Sequence, residues 1–599
     1  MKCKGTPNDP DGKRGTPGDP GRETGRVGKQ SVTGRQQTEK KRVKTMNHFS
    51  DKVIYQIYLR SFKDSNGDGI GDIRGITQQL DYLQSLGVDY LWITPFFVSP
   101  QNDNGYDVAD YRKIDPMFGT MEDLEELIRE AKNRGIELML DMVFNHTSTS
   151  HEWFQKAIAG DEKYQNYYIF KDGTPDKIPT NWESKFGGPA WEYVPSLKKW
   201  YLHLFDVSQA DLNWENPQVR EELKAIIRFW MKKGIGGFRF DVVNLISKPE
   251  QFEDDFEGDG RRFYTDGRHV HEFLKELTAD TGLDNYVTVG EMSSTSLDNC
   301  IRYSNPQEKE LSMCFNFHHL KIDYKDGKKW ELMEPDRMKL KELFETWGEG
   351  MQEGGGWNAL FWCNHDQPRT VSRLGDEGRY RAKSAKMLAA SIHLMRGTPY
   401  IFQGEEIGMT NPHFTDIGQY RDVESLNYYR ILLEQGKTSS EAMEILQARS
   451  RDNGRTPVQW TAEEHAGFTT GTPWIGVCGN YRQINVAVQT GDTDSIWNFY
   501  RRLIRLRKEK KVISEGTITF LERENEDVLA YRRNLGDEEM IVFNNLTAHP
   551  AEVTLEDAWK NYHIILTNDE GKERTEETLK KLSGSRLTLQ PYETLALER

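Results

Sequence analysis

Between Val53 and Glu406 the apolar positions of this chain switch repeatedly between two periods. "VIYQIY" (53–58) is a short run of β-branched and aromatic residues and reads as a strand. "ITQQLDYLQSLG" follows, with Ile76, Leu80 and Leu83 on one helical face and Gly87 as the stop. "YLWITP" predicts a second strand. "TMEDLEELIREAKNRG" then predicts a helix with Thr120 as N-cap, acids in its first turn and Gly135 at its end. "IELMLDMVFNH" is the third strand, and "NPQVREELKAIIRFWMKKG" a helix capped by Asn216, opened by Pro217 and stopped by Gly234. "GGFRFDVVNLI", "YVTVGEM", "MCFNF", "NALFWCNH" and "PYIFQGEE" bring the strands to eight, most of them separated by helical stretches. The pattern predicts an α/β fold, a closed (β/α)8 TIM barrel, while leaving an open sheet admissible.

The pattern breaks in three places. Residues 1–45 repeat an imperfect Gly-Thr-Pro-x-Asp-Pro unit and then turn Lys/Arg/Gln-rich, a composition with too little apolar area to offset chain entropy, so a disordered extension is expected. Residues 46–146 carry the first part of the barrel. Residues 147–210 are rich in Trp, Tyr, Gly and Pro and form an inserted subdomain after strand three; the barrel resumes over 211–514. Over 515–599 short alternating strands predict an antiparallel β-sandwich.

Composition narrows the function. A chain of 599 residues is too long for one core. A net charge of −15 argues against nucleic acid, whose backbone wants a basic face. No apolar run approaches the roughly 20 residues that cross a bilayer, so no membrane partner is expected. The five cysteines show neither metal-ligand spacing nor a disulfide framework, which favours a reducing cytoplasm. A monomer is expected. Trp182, Trp191 and Trp214 lie in loop-like contexts, where exposed rings would suit sugar faces and core packing is the alternative.

In a βα barrel the active site lies at the C-terminal strand ends. Strand three ends at Asp141, Asn145 and His146, strand four at Arg239 and Asp241, strand five at Glu291, strand seven at His365 and Asp366. Converging carboxylates without a thiol or serine nucleophile suggest glycoside chemistry, one acid ionised and one protonated. Arg239, two residues before Asp241, faces the same side of its strand and favours the carboxylate. Glu291, on an apolar strand end near other carboxylates, is expected to hold its proton and serve as acid/base. No cofactor is required for this chemistry.

"DMVFNH", "GFRFDVVNLI", "VGEM" and "FWCNHDQPR" resemble the four signature regions of the α-amylase superfamily of retaining α-glycosidases, and the resemblance spans residue 47 to the end. It implies Asp241 as nucleophile, Glu291 as general acid/base and Asp366 as the clamp on distorted sugar hydroxyls. His146, Arg239 and His365 would line the glucose subsite, Tyr106 would stack on the ring, and Asp107 would pair with Arg451 to close the pocket. "DSNGDGIGD" is similar to a calcium loop of related α-glucosidases, which implies Asp64, Asn66, Asp68, the Ile70 carbonyl and Asp72 as ligands of a structural Ca2+. It lacks the Glu at position twelve of an EF-hand; an empty polar turn stays open.

"QADLNW" and Val242 are similar to members acting on other than α-1,4 linkages. "TNWESKFGGPAWE", "YLHLFDVSQADLNWENP", "GDGRRFYTDG" and "GEMSSTSLDNCIRYSNP" resemble the trehalose-6-phosphate hydrolase branch, which implies a small sugar phosphate as substrate. Oligo-1,6-glucosidase is the alternative. A phosphate needs local cations in so acidic a chain, and Arg261, Arg262, Arg268, Lys321, Lys325, Lys328 and Lys329 are the candidates, with solvated surface as the plainer reading.

Overall fold

The computed structural model describes residues 49–568 and 586–599; the extension expected over 1–45 lies outside them. Eight parallel strands form one sheet: β1 (Ile54–Ile57), β2 (Tyr90–Ile93), β3 (Glu137–Met142), β4 (Gly237–Phe240), β5 (Val287–Met292), β6 (Met313–Asn316), β7 (Ala359–Leu360) and β8 (Thr398–Phe402). Each of β1 to β5 pairs with its sequence neighbour, β5 with β6, β7 with β8, and β8 with β1. The ring closes between β6 and β7 through a parallel bridge, Cys314 to Asn358, where the Cys314 amide donates to the Trp357 carbonyl at 3.2 Å. The open sheet is therefore excluded.

Side chains alternate between the barrel interior and the helical layer, and this period places the chemistry. Ile54, Trp92, Met139, Val287, Val289, Met313, Phe315 and Tyr400 form one buried interior cluster. Two residues further along the same strands, the interior position changes from apolar to polar: Gln56 after Ile54, Asp141 after Met139, Glu291 after Val289. The apolar floor thus supports a polar mouth.

The helix Met121–Asn133 has the expected Thr120 cap, with Asp123 completing a capping box. Pro217–Lys233 has Asn216 accepting from the Gln218 amide and ends on Gly234 at φ 97°, a left-handed position suited to glycine. The helix expected after β1 is split into Ile73–Gln78, which Asp72 caps through the Gly75 amide, and Leu80–Leu86, with Gln79 at φ −104° and ψ 9° between them. The seventh strand, expected over "NALFWCNH", is also shorter than expected, at two residues. After Leu360 the chain leaves the sheet, and Asn364 accepts from the Asp366 amide at 2.8 Å, turning His365 and Asp366 on a loop.

Between β3 and β4, His146–Ser148 pairs with Gln209–Asp211, and a three-stranded antiparallel sheet (Phe170–Asp172, Lys199–Leu202, Trp191–Val194) stands beyond them. Trp182, Trp191 and Trp214 are buried, at 1–2% exposure, so the exposed-platform expectation gives way to core packing. Trp182 and Trp191 pack with Val242 and Tyr264, tying this segment to the loop after β4. At the C-terminus, β9 (Thr517–Leu521), β10 (Val528–Leu535), β11 (Glu538–Asn545), β12 (His563–Thr567) and β13 (Thr594–Glu598) form an antiparallel sheet in the order β9-β10-β11-β13-β12, with Ala551–Thr554 and Arg586–Leu589 paired beside it. No helix among the described residues is long and apolar enough to cross a membrane.

Candidate active site

Strand register brings the charges together. Arg239 on β4 lies opposite Asp141 on β3, and the Asp241 amide donates to the Met142 carbonyl at 3.0 Å. Arg239, 1% exposed, touches three carboxylates: Nη1 donates to Asp141 Oδ1 at 2.5 Å and to Asp241 Oδ1 at 2.6 Å, and Nη2 pairs with Glu291. Asp141 also accepts from Trp92 Nε1 at 3.0 Å and the Tyr106 hydroxyl at 2.8 Å. Burial pushes the Asp141 carboxyl up to about 6 against the pull of Arg239. Burial likewise raises Asp241, with Arg239 opposing and the Asp366 charge adding to the rise. The arginine is thus the counter-charge that makes ionised carboxylates tolerable here.

Asp366 is set differently. Burial works against its charge, but His365, Arg451 and Arg455 outweigh it and hold the carboxyl well below the usual range. Arg451 Nη1 and Arg455 Nη2 donate to its Oδ1 at 3.2 and 2.9 Å. His365 stacks on Tyr106, ring centroids 5.0 Å apart and planes 2° from parallel. Gln56 Nε2 donates to its Nδ1 at 2.7 Å, which leaves the proton on Nε2, facing Asp366 at 3.2 Å. Burial lowers His365 to about 3 and His146 to about 4, so both rings are neutral near pH 7. His146 meets Gln209 Nε2 and the Tyr106 carbonyl, each at 3.2 Å.

Tyr106, His146, Gln209, Asp241, Glu291, His365 and Asp366 line a cavity of about 240 Å3 together with Asp103, Phe186, Phe205, Val242 and Arg451. Arg239, expected to line the sugar subsite, is not among the lining residues and meets the cavity only through its carboxylate partners. Val242, directly after Asp241, sits at φ 35°, a strained conformation for a β-branched residue, held by the Trp182 and Trp191 cluster.

The pairing of Asp107 with Arg451 is corrected. Asp107 is fully buried in its own loop, accepting from Ser99 Oγ and the Asn102 and Asp103 amides at 2.9–3.1 Å. Arg451 pairs instead with Asp103, at 3.1 Å, and with Asp422. Asp103 faces the cavity, accepts from Gln209 at 3.1 Å, and is pushed up to about 7 by burial. The "QNDNGYD" stretch holds both aspartates, and only the loop geometry separates them.

The cationic candidates also divide. Lys321 lines the cavity, as do Lys329 and Lys185, the last unforeseen because it lies in the inserted segment. Burial lowers Lys185 to about 8, with Arg261 and Lys321 adding to the fall; Arg261 itself does not line the cavity and is paired with Asp259. Lys329 is bound to Glu424 at 2.6 Å. Arg262 pairs with Asp255 and Glu257, Arg268 with Glu250, and Lys328 with Glu331; with the exposed Lys325, none of these lines the cavity. Their own acidic neighbours hold them at the surface, as expected of ordinary solvated charges.

In the loop after β1, both Asp64 oxygens accept backbone amides (Asn66, Gly67, Gly69) at 2.7–2.8 Å, with Thr469 added. Asn66 and Asp68 accept from Asp68 and Ile70, and Asp72 from Ser65 and Gly75. The loop's carboxylate and amide oxygens are thus engaged by its own backbone amides and hydroxyls. Elsewhere Glu221, Glu276 and Asp280 bring carboxylate oxygens within 4.8 Å of one another, an arrangement able to hold a cation. Lys224 Nζ already sits among them, at 2.5–2.8 Å from each.

Residues 56–516 match the family described as alpha amylase, catalytic domain. The chain belongs to the alpha-amylase family. Residues 518–595 match the C-terminal domain of maltogenic amylase. Within the alpha-amylase family the chain is 53% identical to the trehalose-6-phosphate hydrolase of Bacillus subtilis, covering 91% of this chain and 96% of that one. It is 46% identical to the oligo-1,6-glucosidase of Parageobacillus thermoglucosidasius, over 89% and 97%. The crystal structure of Bacillus licheniformis trehalose-6-phosphate hydrolase superposes with a TM-score of 0.87 at 53% identity, covering 92% of this chain and 99% of that one. As an alpha-amylase family member the chain is a glycosidase.

Proposed function

We propose that the protein hydrolyses trehalose 6-phosphate to glucose and glucose 6-phosphate with retention of configuration. The observation carrying this reading is the pair Lys185 and Lys321 on the wall of a cavity whose other side chains suit glucose, with the Arg261 charge acting on both. Neither lysine ammonium is paired with a carboxylate among the described residues, while Arg261, Lys328 and Lys329 are paired with Asp259, Glu331 and Glu424. A phosphate supplies the missing counter-charge. The 53% identity to trehalose-6-phosphate hydrolases supports the same choice.

Under this reading Asp241 attacks the anomeric carbon while Glu291 gives its proton to the departing glycosidic oxygen. Glucose 6-phosphate leaves, and a glucosyl ester remains on Asp241. Glu291, now ionised, takes a proton from water, whose oxygen displaces Asp241 and releases glucose. Arg239 touches both carboxyl groups, which supports the separation of about 5–5.5 Å that retention requires. Asp366 and His365 accept and donate hydrogen bonds to the sugar hydroxyls, Tyr106 and His146 line the subsite, and Arg451 with Asp103 closes its end. The phosphate rests on Lys185 and Lys321, with Arg261 beside them.

The experiment is hydrolysis of trehalose 6-phosphate beside trehalose and isomaltose, with glucose and glucose 6-phosphate assayed separately. Both products are expected from the phosphorylated sugar at the highest kcat/KM. Faster cleavage of isomaltose would turn the reading to an oligo-1,6-glucosidase.

The same reading gives the Asp64–Asp72 loop a structural divalent cation, held by the side chains of Asp64, Asn66, Asp68 and Asp72 and the Ile70 carbonyl. Calcium at about 100 times its Kd is expected to stabilise the fold by about 2.7 kcal/mol. Differential scanning calorimetry with calcium and with a chelator checks this; an unchanged Tm means an empty polar turn.

A further inference from the structure

The two candidate catalytic strands end in loops that meet on a single carboxylate outside the cavity. Asp266 accepts four side-chain hydrogen bonds: from Asn244 Nδ2 at 3.1 Å and the Tyr303 hydroxyl at 2.7 Å on Oδ1, and from Thr295 Oγ1 at 2.8 Å and Asn299 Nδ2 at 2.9 Å on Oδ2. Its amide also donates to the Asn244 carbonyl at 2.9 Å. Asn244 stands three residues after Asp241; Thr295 stands four after Glu291, and Asn299 and Tyr303 lie on the helix Leu297–Ser304 that this loop enters.

Asn244, fully buried, makes the second half of the tie. Its Oδ1 accepts from the Ser293 amide at 2.9 Å and its Nδ2 donates to the Ser293 carbonyl at 2.8 Å. Ser293 is two residues past Glu291, and Ser293 and Ser294 line the cavity. The backbone on both sides is strained: Asp266 has φ 50° and Ser294 has φ 53°. Non-glycine residues keep left-handed conformations where surrounding bonds over-determine them, and a carboxylate saturated by four donors does that.

The geometry points to Asp266 as a positioning residue that, through Asn244 and Ser293, sets the place of the Glu291 carboxyl relative to Asp241. This rests on the roles proposed above for those two residues. Asp266 touches no cavity atom; it acts by holding two loops at one spacing. A proton donor displaced by a fraction of an ångström loses most where the leaving group most needs its proton.

The test measures kcat/KM of Asp266→Ala on trehalose 6-phosphate and on 4-nitrophenyl α-glucoside, whose leaving group departs with little proton assistance. The disaccharide is expected to lose at least about tenfold more than the aryl glucoside, within the range of general acid catalysis. Azide, a nucleophile needing no base, is expected to restore part of the lost kcat on the aryl substrate. Equal losses on both substrates, or none, overturn the inference, because a merely structural defect lowers the active fraction for every substrate alike. If Asp266→Ala does not fold, Tyr303→Phe, which removes one donor, carries the same comparison. Glu291→Gln run in parallel separates the two levels. If Glu291→Gln lacks the leaving-group dependence, the proposed acid/base role fails; if it shows the dependence and Asp266→Ala does not, only the tie fails.

Discussion

Asp241→Asn is expected to lose at least about 10^4-fold in kcat on every α-glucoside, since removing a nucleophile disables the whole constellation at once. The substitution keeps the volume and the backbone bond to Met142. It removes the charge that Arg239 Nη1 meets at 2.6 Å, while Asp141 remains to neutralise the guanidinium. Folding is therefore expected to survive, and circular dichroism with a thermal scan checks it. Trapping offers a second readout. A fluorinated glucoside that forms a long-lived ester is expected to add one sugar to the native chain at Asp241, read by peptide mass spectrometry, and nothing to the variant. A labelled peptide containing another carboxylate would reassign the nucleophile.

Lys185→Met with Lys321→Met is expected to lower kcat/KM for trehalose 6-phosphate by about 100-fold or more, from two charge-assisted bonds at roughly 1.5–3 kcal/mol each. Activity on 4-nitrophenyl α-glucoside, which carries no phosphate, is expected to stay within about threefold. Equal loss on both substrates would make the lysines structural. The native enzyme adds a pH signature. Burial and the neighbouring cations Arg261 and Lys321 lower Lys185 to about 8, so the ammonium is charged below that pH and neutral above it. A bound dianion pulls the other way, favouring the charged form. KM for the phosphorylated sugar is thus expected to rise as pH climbs through about 8, with no such limb for the aryl glucoside. Below about 6 the phosphate takes its second proton and binding weakens from the ligand's side. Lys185→Met alone is expected to remove the alkaline limb.

Much of the site was legible because a barrel converts strand period into function. Each strand alternates inside and outside, so Asp141, Arg239, Asp241 and Glu291 were readable as the inward positions beyond an apolar floor. His365 and Asp366 read as a strand end in sequence, but Asn364 folds them onto a turn after a two-residue strand. Asp103 and Asp107, four residues apart, look alike in sequence until the loop closes and Asp107 caps it. Lys185 gave no signal at all: its segment has no period, and its place on the cavity wall depends on how the inserted sheet packs against Val242 and Tyr264.

Local order therefore settled the eight strands, the caps at Thr120 and Asn216, and the inward residues, because these depend on neighbours within a few positions. The tertiary structure decided which charges share a partner. Arg239 meets Asp141 across a strand boundary, Arg451 reaches Asp103 across 348 residues, and Asp266 gathers two loops. Electrostatic and hydrogen-bond energies depend on distances in space, and no pattern along the chain encodes those until the barrel is closed.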